Sequence, residues 1–139
     1  MSMTTNRIPT ELNWVEARAS CTTARMFHEL CEGCMVDVAV INSVRKLPPD
    51  ESFQFSALEG GTTFVVGQLE REPRIVTRVG IVGDMIVVSD QPARGPDWFA
   101  RVALNNEGRC ILRLEDGTEL EQWQFRKLAL EDLLFGGRP

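Results

Sequence analysis

The sequence predicts an α+β fold, in which a long N-terminal helix packs on an antiparallel β-meander of about seven strands and a short helix ends the chain. Apolar residues recur with helical spacing after residue 22. Residues 53–125 then divide into seven short apolar runs separated by turn sequences rich in Gly, Pro, Asn and Asp. The connections between these runs are too short for a crossover helix, so neighbouring strands must pair antiparallel.

The long helix is predicted to begin at Ser20-Cys21-Thr22-Thr23, where the hydroxyls can cap it, and to run for about 22 residues before Pro48 and Pro49 end it. A rival interpretation ends a short helix at Gly33 and makes residues 34–45 a strand, because that segment is rich in β-branched valines. We prefer the helix because its periodic pattern is longer. The apolar positions that define this pattern are Phe27, Leu30, Cys31, Cys34, Met35, Val38 and Ile41.

Within this helix, Val36 and Val40 fall on the side opposite Phe27 and Cys34. A helix that is apolar on two sides is usually buried on two sides. Either another element of the chain covers these valines or a second subunit does. We therefore predict a homodimer with Val36 and Val40 at its interface.

The seven strands are predicted from runs with alternating or continuous apolar character. They cover residues 53–58, 62–69, 74–82, 84–89, 98–104, 109–114 and 119–125. Gly83-Asp84 and Asp116-Gly117 are typical of tight hairpin turns. The last run ends with Trp123 and Phe125, and a helix predicted over residues 127–135 follows it and stops at Gly136.

A length of 139 residues predicts a single domain over residues 1–139, with residues 1–9 and 136–139 flexible. The net charge of −5 argues against a nucleic-acid surface, which would be basic. No apolar run is long enough to cross a membrane, and the first residues lack the pattern of a signal peptide. We therefore expect no membrane partner, a cytoplasmic location and four cysteines in the thiol form.

Few residues suggest chemistry. His28, Cys31 and Cys34, with Cys21 or Cys110 as a fourth ligand, could be zinc ligands. Cys31 and Cys34 instead fit the apolar stripe of the helix, where a free cysteine behaves as a small hydrophobe. His28 is the only histidine, and no Gly-x-Ser-x-Gly motif marks a nucleophile. We predict no catalytic residue, no metal site and no cofactor.

Three arginines form the one candidate ligand site. Arg78, Arg101 and Arg113 each lie in the middle of a predicted strand among apolar residues. If the strand register brings them to one face, they would form a cationic patch for a carboxylate or phosphate group. The alternative is that their long stems cover the sheet while the charged heads are solvated.

These observations do not determine the function. The leading hypothesis is a small non-enzymatic binding or protein-interaction domain that forms a homodimer and takes a protein client or a small ligand. One alternative is an enzyme or small-molecule-binding protein that holds an anionic or apolar ligand between helix and sheet. Another is a secretion-type chaperone or adaptor, since an acidic α+β dimer of this size can present both a helix and a sheet edge to a client.

Overall fold

The structure, a computed structural model, describes residues 11–58 and 60–136. Flexibility was expected for residues 1–9 and 136–139. All of these positions except Gly136 lie outside the described part, and the prediction for Gly136 stays untested. The prediction of a single domain stays a prediction. The predicted α+β architecture is confirmed. A long helix near the N-terminus and a second helix at the C-terminal end pack against a seven-stranded antiparallel sheet.

Within the described residues, two α-helices precede the sheet. The first, α1, covers Trp14–Ser20 and was not predicted; the side chain of Asn13 caps it, and none of its residues is buried. The second, α2, covers Thr23–Arg45, and the Thr22 hydroxyl accepts a hydrogen bond from the backbone N–H of Arg25 at 3.2 Å. The helix therefore continues through the valine-rich segment, and the rival strand over residues 34–45 is absent.

The seven strands follow one another in sequence order across the sheet, so the predicted meander is confirmed. A single turn of 3₁₀ helix at Pro49–Glu51 leads into it. The strands are β1 (Gln54–Ala57), β2 (Thr63–Gly67), β3 (Val76–Val82), β4 (Met85–Gln91), β5 (Trp98–Leu104), β6 (Cys110–Leu114) and β7 (Glu119–Leu120). Gly83 has a φ of 62° in the two-residue turn between β3 and β4, a backbone conformation that favours glycine.

The last predicted strand is wrong over most of its length. Only Glu119–Leu120 are extended, and α3 covers Gln122–Phe135, so that Trp123 and Phe125 are helical. The cause is a capping box, in which the Glu121 carboxylate accepts a hydrogen bond from the backbone of Gln124 and the Gln124 side chain accepts one from the Glu121 N–H at 2.8 Å. These reciprocal bonds satisfy N–H groups that the first turn of a helix leaves free.

Both helices contact the same face of the sheet, and the core lies between the two layers. Leu30 of α2, Phe64 of β2 and Phe125 of α3 are almost completely buried there. The ring of Phe64 lies 5.5 Å from that of Phe27, and Trp98 lies 5.2 Å from Phe125, so aromatic contacts connect both helices to the sheet. This arrangement leaves the outer side of the helix layer and the opposite face of the sheet for solvent or partners.

The prediction of four free thiols is wrong for two of them. Cys21, between α1 and α2, forms a disulfide with Cys110 at the start of β6. The two residues are 89 positions apart, and their Cα atoms lie 5.3 Å from each other, within the range that a disulfide spans. The packing of α2 on the sheet brings the two cysteines together, and the sequence around either of them does not indicate this contact. Cys31 and Cys34 are free.

Candidate interaction surface

The two long helices lie side by side and run in the same direction. Near the start of α3, Nη1 of Arg126 donates hydrogen bonds to both carboxylate oxygens of Asp37 at 2.8 Å and to the carbonyl of Gly33 at 3.1 Å. At the other end, Nη1 of Arg45 donates to the carbonyl of Leu134 at 2.9 Å. These two contacts fix the position of one helix along its axis relative to the other.

Gly33 allows this close approach. A Cβ atom built on Gly33 would lie 2.6 Å from Nε of Arg126. The Arg126 side chain therefore lies across the backbone of α2, where any other residue would displace it. Its Nε is buried and has no hydrogen-bond partner among the described residues. The helix interior tolerates a glycine here because the glycine makes room for the arginine.

The outer side of this helix pair is apolar. Three valines recur every four residues along α2, and two aromatic side chains stand near the ends of α3. We call this set the helical face; its members, with their exposed fractions, are Val36 (60%), Val40 (52%), Val44 (70%), Trp123 (53%) and Phe135 (66%). Isolated apolar residues at a surface are ordinary, whereas a contiguous set marks an interaction site.

A groove of 410 Å³ runs between the helices within this face. Val40 and Val44 line one wall, and Trp123 and Phe135 line the other. The charged groups along the groove are engaged in pairs. Asp37 binds Arg126, and Nζ of Lys127 lies 3.0 Å from the Glu131 carboxylate. The groove therefore offers an apolar floor with charges already compensated, a combination that suits protein side chains better than a small ion.

The structure brings two of the three candidate arginines together. Arg101 and Arg113 are direct cross-strand partners on the sheet face that points away from the helices. Arg78 lies on the same face opposite Val65 and Ser89, about 13 Å further along the strand direction. Their role as a ligand site stays a prediction.

The two paired arginines already have carboxylate partners. Arg101 lies 3.4 Å from Asp84, and Arg113 lies 2.8 Å from Glu119. The guanidinium of Arg101 also lies 5.2 Å from the centre of the Phe99 ring. An anionic ligand would have to displace these contacts, so the observed geometry resembles a solvated sheet face more than a prepared anion site.

The residues considered as metal ligands or nucleophiles do not converge. The imidazole of His28 is mostly exposed and lies 3.4 Å from Glu32, while Cys21 is bonded to Cys110. Burial raises the pKa of the Cys34 thiol to about 12, and partial burial with the nearby Glu32 charge raises that of Cys31. Both thiols are therefore poor nucleophiles. Within residues 11–58 and 60–136, no group of three or more potential ligands could hold a metal ion.

Sequence analysis placed Val36 and Val40 on a second apolar side of α2 but missed their neighbours on α3; the role of both valines at a dimer interface stays a prediction. Trp123 was placed in a strand, so its proximity to the valines was not foreseen. The missed signal was Glu121-x-x-Gln124, which starts a helix five residues earlier than the apolar pattern indicates.

Comparisons with known proteins found no similar family model, no similar curated protein and no similar solved structure. In the part of the chain that the structure covers, no helix is both long and apolar enough to cross a membrane.

Proposed function

We propose that this protein is a non-enzymatic interaction domain that forms a homodimer through the helical face. The observation that carries the proposal is the concentration of five large exposed apolar side chains on two adjacent helices. Such a patch is costly to leave in water, because each buried Val or aromatic side chain contributes roughly 1.5–3 kcal/mol. Covering the patch with a partner removes that cost.

The composition of the face supports a protein partner. Aromatic residues are enriched at the centres of protein interfaces, and charged residues are depleted there. Trp123 and Phe135 supply the aromatic anchors, and the charges beside them are compensated within the chain. An enzyme would need a nucleophile, a base or a metal in the groove, and the residues that line it are apolar or engaged in ion pairs.

A secretion-type chaperone or adaptor is a second candidate. It is supported by the sheet face that the helices leave uncovered, where Val82 of β3 is 57% exposed and β4 separates it from the strand that carries Arg101. A dimer joined through the helical face would still present this surface to a client. An anion site at Arg101 and Arg113 has less support, since both arginines already have carboxylate partners.

The cytoplasmic location stays part of the proposal. The Cys21–Cys110 disulfide opposes it, because disulfides persist mainly in oxidising compartments. Trapping the thiols in whole cells with an alkylating reagent before lysis measures the oxidation state of both cysteines. Full alkylation of Cys21 and Cys110 would support the cytoplasm, and full protection would contradict it.

The test of the proposal is a matched pair of substitutions. Val40→Arg places a charge at the centre of the helical face, and Val82→Arg places the same charge at a valine of similar exposure on the sheet. An unpaired charge buried in an interface costs several kcal/mol. We therefore expect the dissociation constant of the Val40→Arg dimer to be at least about 100-fold higher than that of the wild type.

Light scattering coupled to size-exclusion chromatography gives the molar mass of each variant. The proposal predicts a monomer for Val40→Arg and a dimer for Val82→Arg, with circular dichroism spectra like that of the wild type. A Val40→Arg protein that stays dimeric while folded would remove the helical face as the dimer interface.

A further inference from the structure

We infer that the second copy docks on the helical face about a two-fold axis that passes over the outer side of α2 at the level of Val40 and of α3 at the level of Ala129, so that each helix pairs antiparallel with its own counterpart. The inference rests on the proposed function and adds the arrangement of the two copies. It follows from the spacing of residues along the face, because a two-fold rotation that reverses the direction of both helices brings apolar residues onto apolar residues.

Val40 of α2 and Ala129 of α3 lie at the same height along the two neighbouring helices. Asp37 contacts Arg126, and Arg45 contacts Leu134, in each case eight residues further along its own helix. The midpoints of these two intervals, at residues 41 and 130, therefore lie side by side. Val40 and Ala129 are each one residue before them. Ala129 itself packs against the core, so it marks only the level at which a single axis can pass over the outer side of both helices.

The apolar residues are arranged symmetrically about this axis. Val36 and Val44 lie four residues on either side of Val40. On α3, Trp123 and Phe135 lie six residues on either side of Ala129. A two-fold rotation thus brings Val36 of one copy against Val44 of the other, Val40 against itself, and the indole of one copy against the phenyl ring of the other. Interfaces between identical subunits related by a two-fold axis require this self-complementarity.

The charges show the same symmetry with opposite sign. Lys127 and Glu131 lie two residues on either side of Ala129, and both line the groove. End-to-end rotation places Lys127 of each copy opposite Glu131 of the other, which gives two equivalent attractive contacts. Within one chain these residues already form an exposed pair at 3.0 Å, and dimerisation would add a partner to each.

The other way to stack two copies of this face is less favourable. An axis parallel to the helices would lay α3 of one copy over α2 of the other at the same level. Lys127 and Glu131 would then meet the valines of α2 instead of each other. Desolvating a charge against apolar side chains is costly, so the antiparallel arrangement is favoured.

Charge reversal tests the arrangement. Lys127→Glu and Glu131→Lys each replace two attractive contacts between chains by two like-charge contacts, so each variant alone should dimerise on the order of tenfold more weakly than the wild type. In an equimolar mixture, the acidic face of one variant meets the basic face of the other. The mixed dimer should therefore regain about the wild-type affinity.

The mixture separates contacts between chains from contacts within a chain. Neither variant can form the Lys127–Glu131 pair internally, so recovery can come only from contacts across the interface. Native mass spectrometry with one variant isotope-labelled distinguishes the mixed dimer from the two homodimers. An excess of mixed dimer over the statistical proportion is the expected result, and statistical mixing of the two variants would overturn the arrangement.

Cross-linking provides an independent measurement. In a Cys31→Ser background, Val40→Cys places a thiol on the axis next to its own copy and should give a disulfide-linked dimer under mild oxidation, while Val82→Cys should not. A wild-type protein that is monomeric would refute the proposed function itself. A dimer that Val40→Arg dissociates but that shows neither mixed-dimer excess nor the Val40→Cys cross-link would refute only the arrangement.

Discussion

At the scale of single residues, Asn42 fixes the first edge of the sheet. Its side-chain amide donates to the carbonyl of Phe53 and accepts from the N–H of Phe53, both at 2.9 Å. Leu58 bonds to Thr63 of the neighbouring strand, and partners alternate along an antiparallel ladder. The backbone groups of Phe53 therefore point away from β2, and Asn42 occupies the place that a further strand would take.

Replacing Asn42 by Ala should destabilise the fold by about 2–3 kcal/mol, because it leaves two partly buried backbone groups unsatisfied. Urea denaturation followed by tryptophan fluorescence measures the effect. Ser43→Ala is the control, since Ser43 is the exposed next residue on the same helix. An equal loss of unfolding free energy in both variants would show that the hydrogen bonds to Phe53 contribute no more than an exposed side chain does.

Sequence alone could not single out Asn42. An asparagine late in an amphipathic helix is ordinary, and its importance depends on Phe53, whose backbone reaches it only after the chain has turned through Pro48 and Pro49. The same reason applies to the three arginines. Arg101 faces Arg113 because of the length of the hairpin between β5 and β6, and a shift of one residue would send them to opposite faces of the sheet.

At the scale of elements, the long helix was predictable because its apolar periodicity outweighed the strand preference of its valines. The start of α3 was not, because the Glu121–Gln124 capping box uses a glutamate where Ser or Thr is the usual first residue. The apolar sequence around Trp123 then resembled a strand. The helical face depends on both helices, so only Val36 and Val40 of its members were singled out from sequence.

The contact between Gly33 and Arg126 predicts an unusual response to alanine. Gly→Ala within a helix normally stabilises it by about 0.5–1 kcal/mol. In this protein the added Cβ would displace Arg126 from Asp37 and from the Gly33 carbonyl, so Gly33→Ala should be neutral or destabilising.

Arg126→Ala provides the matched background. In that background Gly33→Ala should regain its normal stabilising effect, which corresponds to a coupling of about 1–2 kcal/mol in a double-mutant cycle. Thermal and urea unfolding of the four proteins give the cycle. Additive effects of the two substitutions would contradict the packing of Arg126 across Gly33.

At the scale of the whole molecule, the disulfide ties the segment before α2 to β6 and closes a loop that contains most of the sheet. A disulfide typically stabilises a protein by about 2–4 kcal/mol, mainly by restricting the unfolded chain. We therefore expect reduction to lower the free energy of unfolding by that amount. The Cys21→Ser/Cys110→Ser double variant should be insensitive to reductant, whereas Cys31→Ser should respond like the wild type. An identical unfolding midpoint for the oxidised and reduced wild type would refute the cross-link.

The central claim is that the helical face pairs with a second copy of this chain, and sedimentation equilibrium of the unmodified protein tests it most directly. The dimer predicts a mass of twice 15.6 kDa at micromolar concentrations, decreasing toward the monomer value on dilution. A mass that stays at 15.6 kDa across the whole concentration range would contradict the claim.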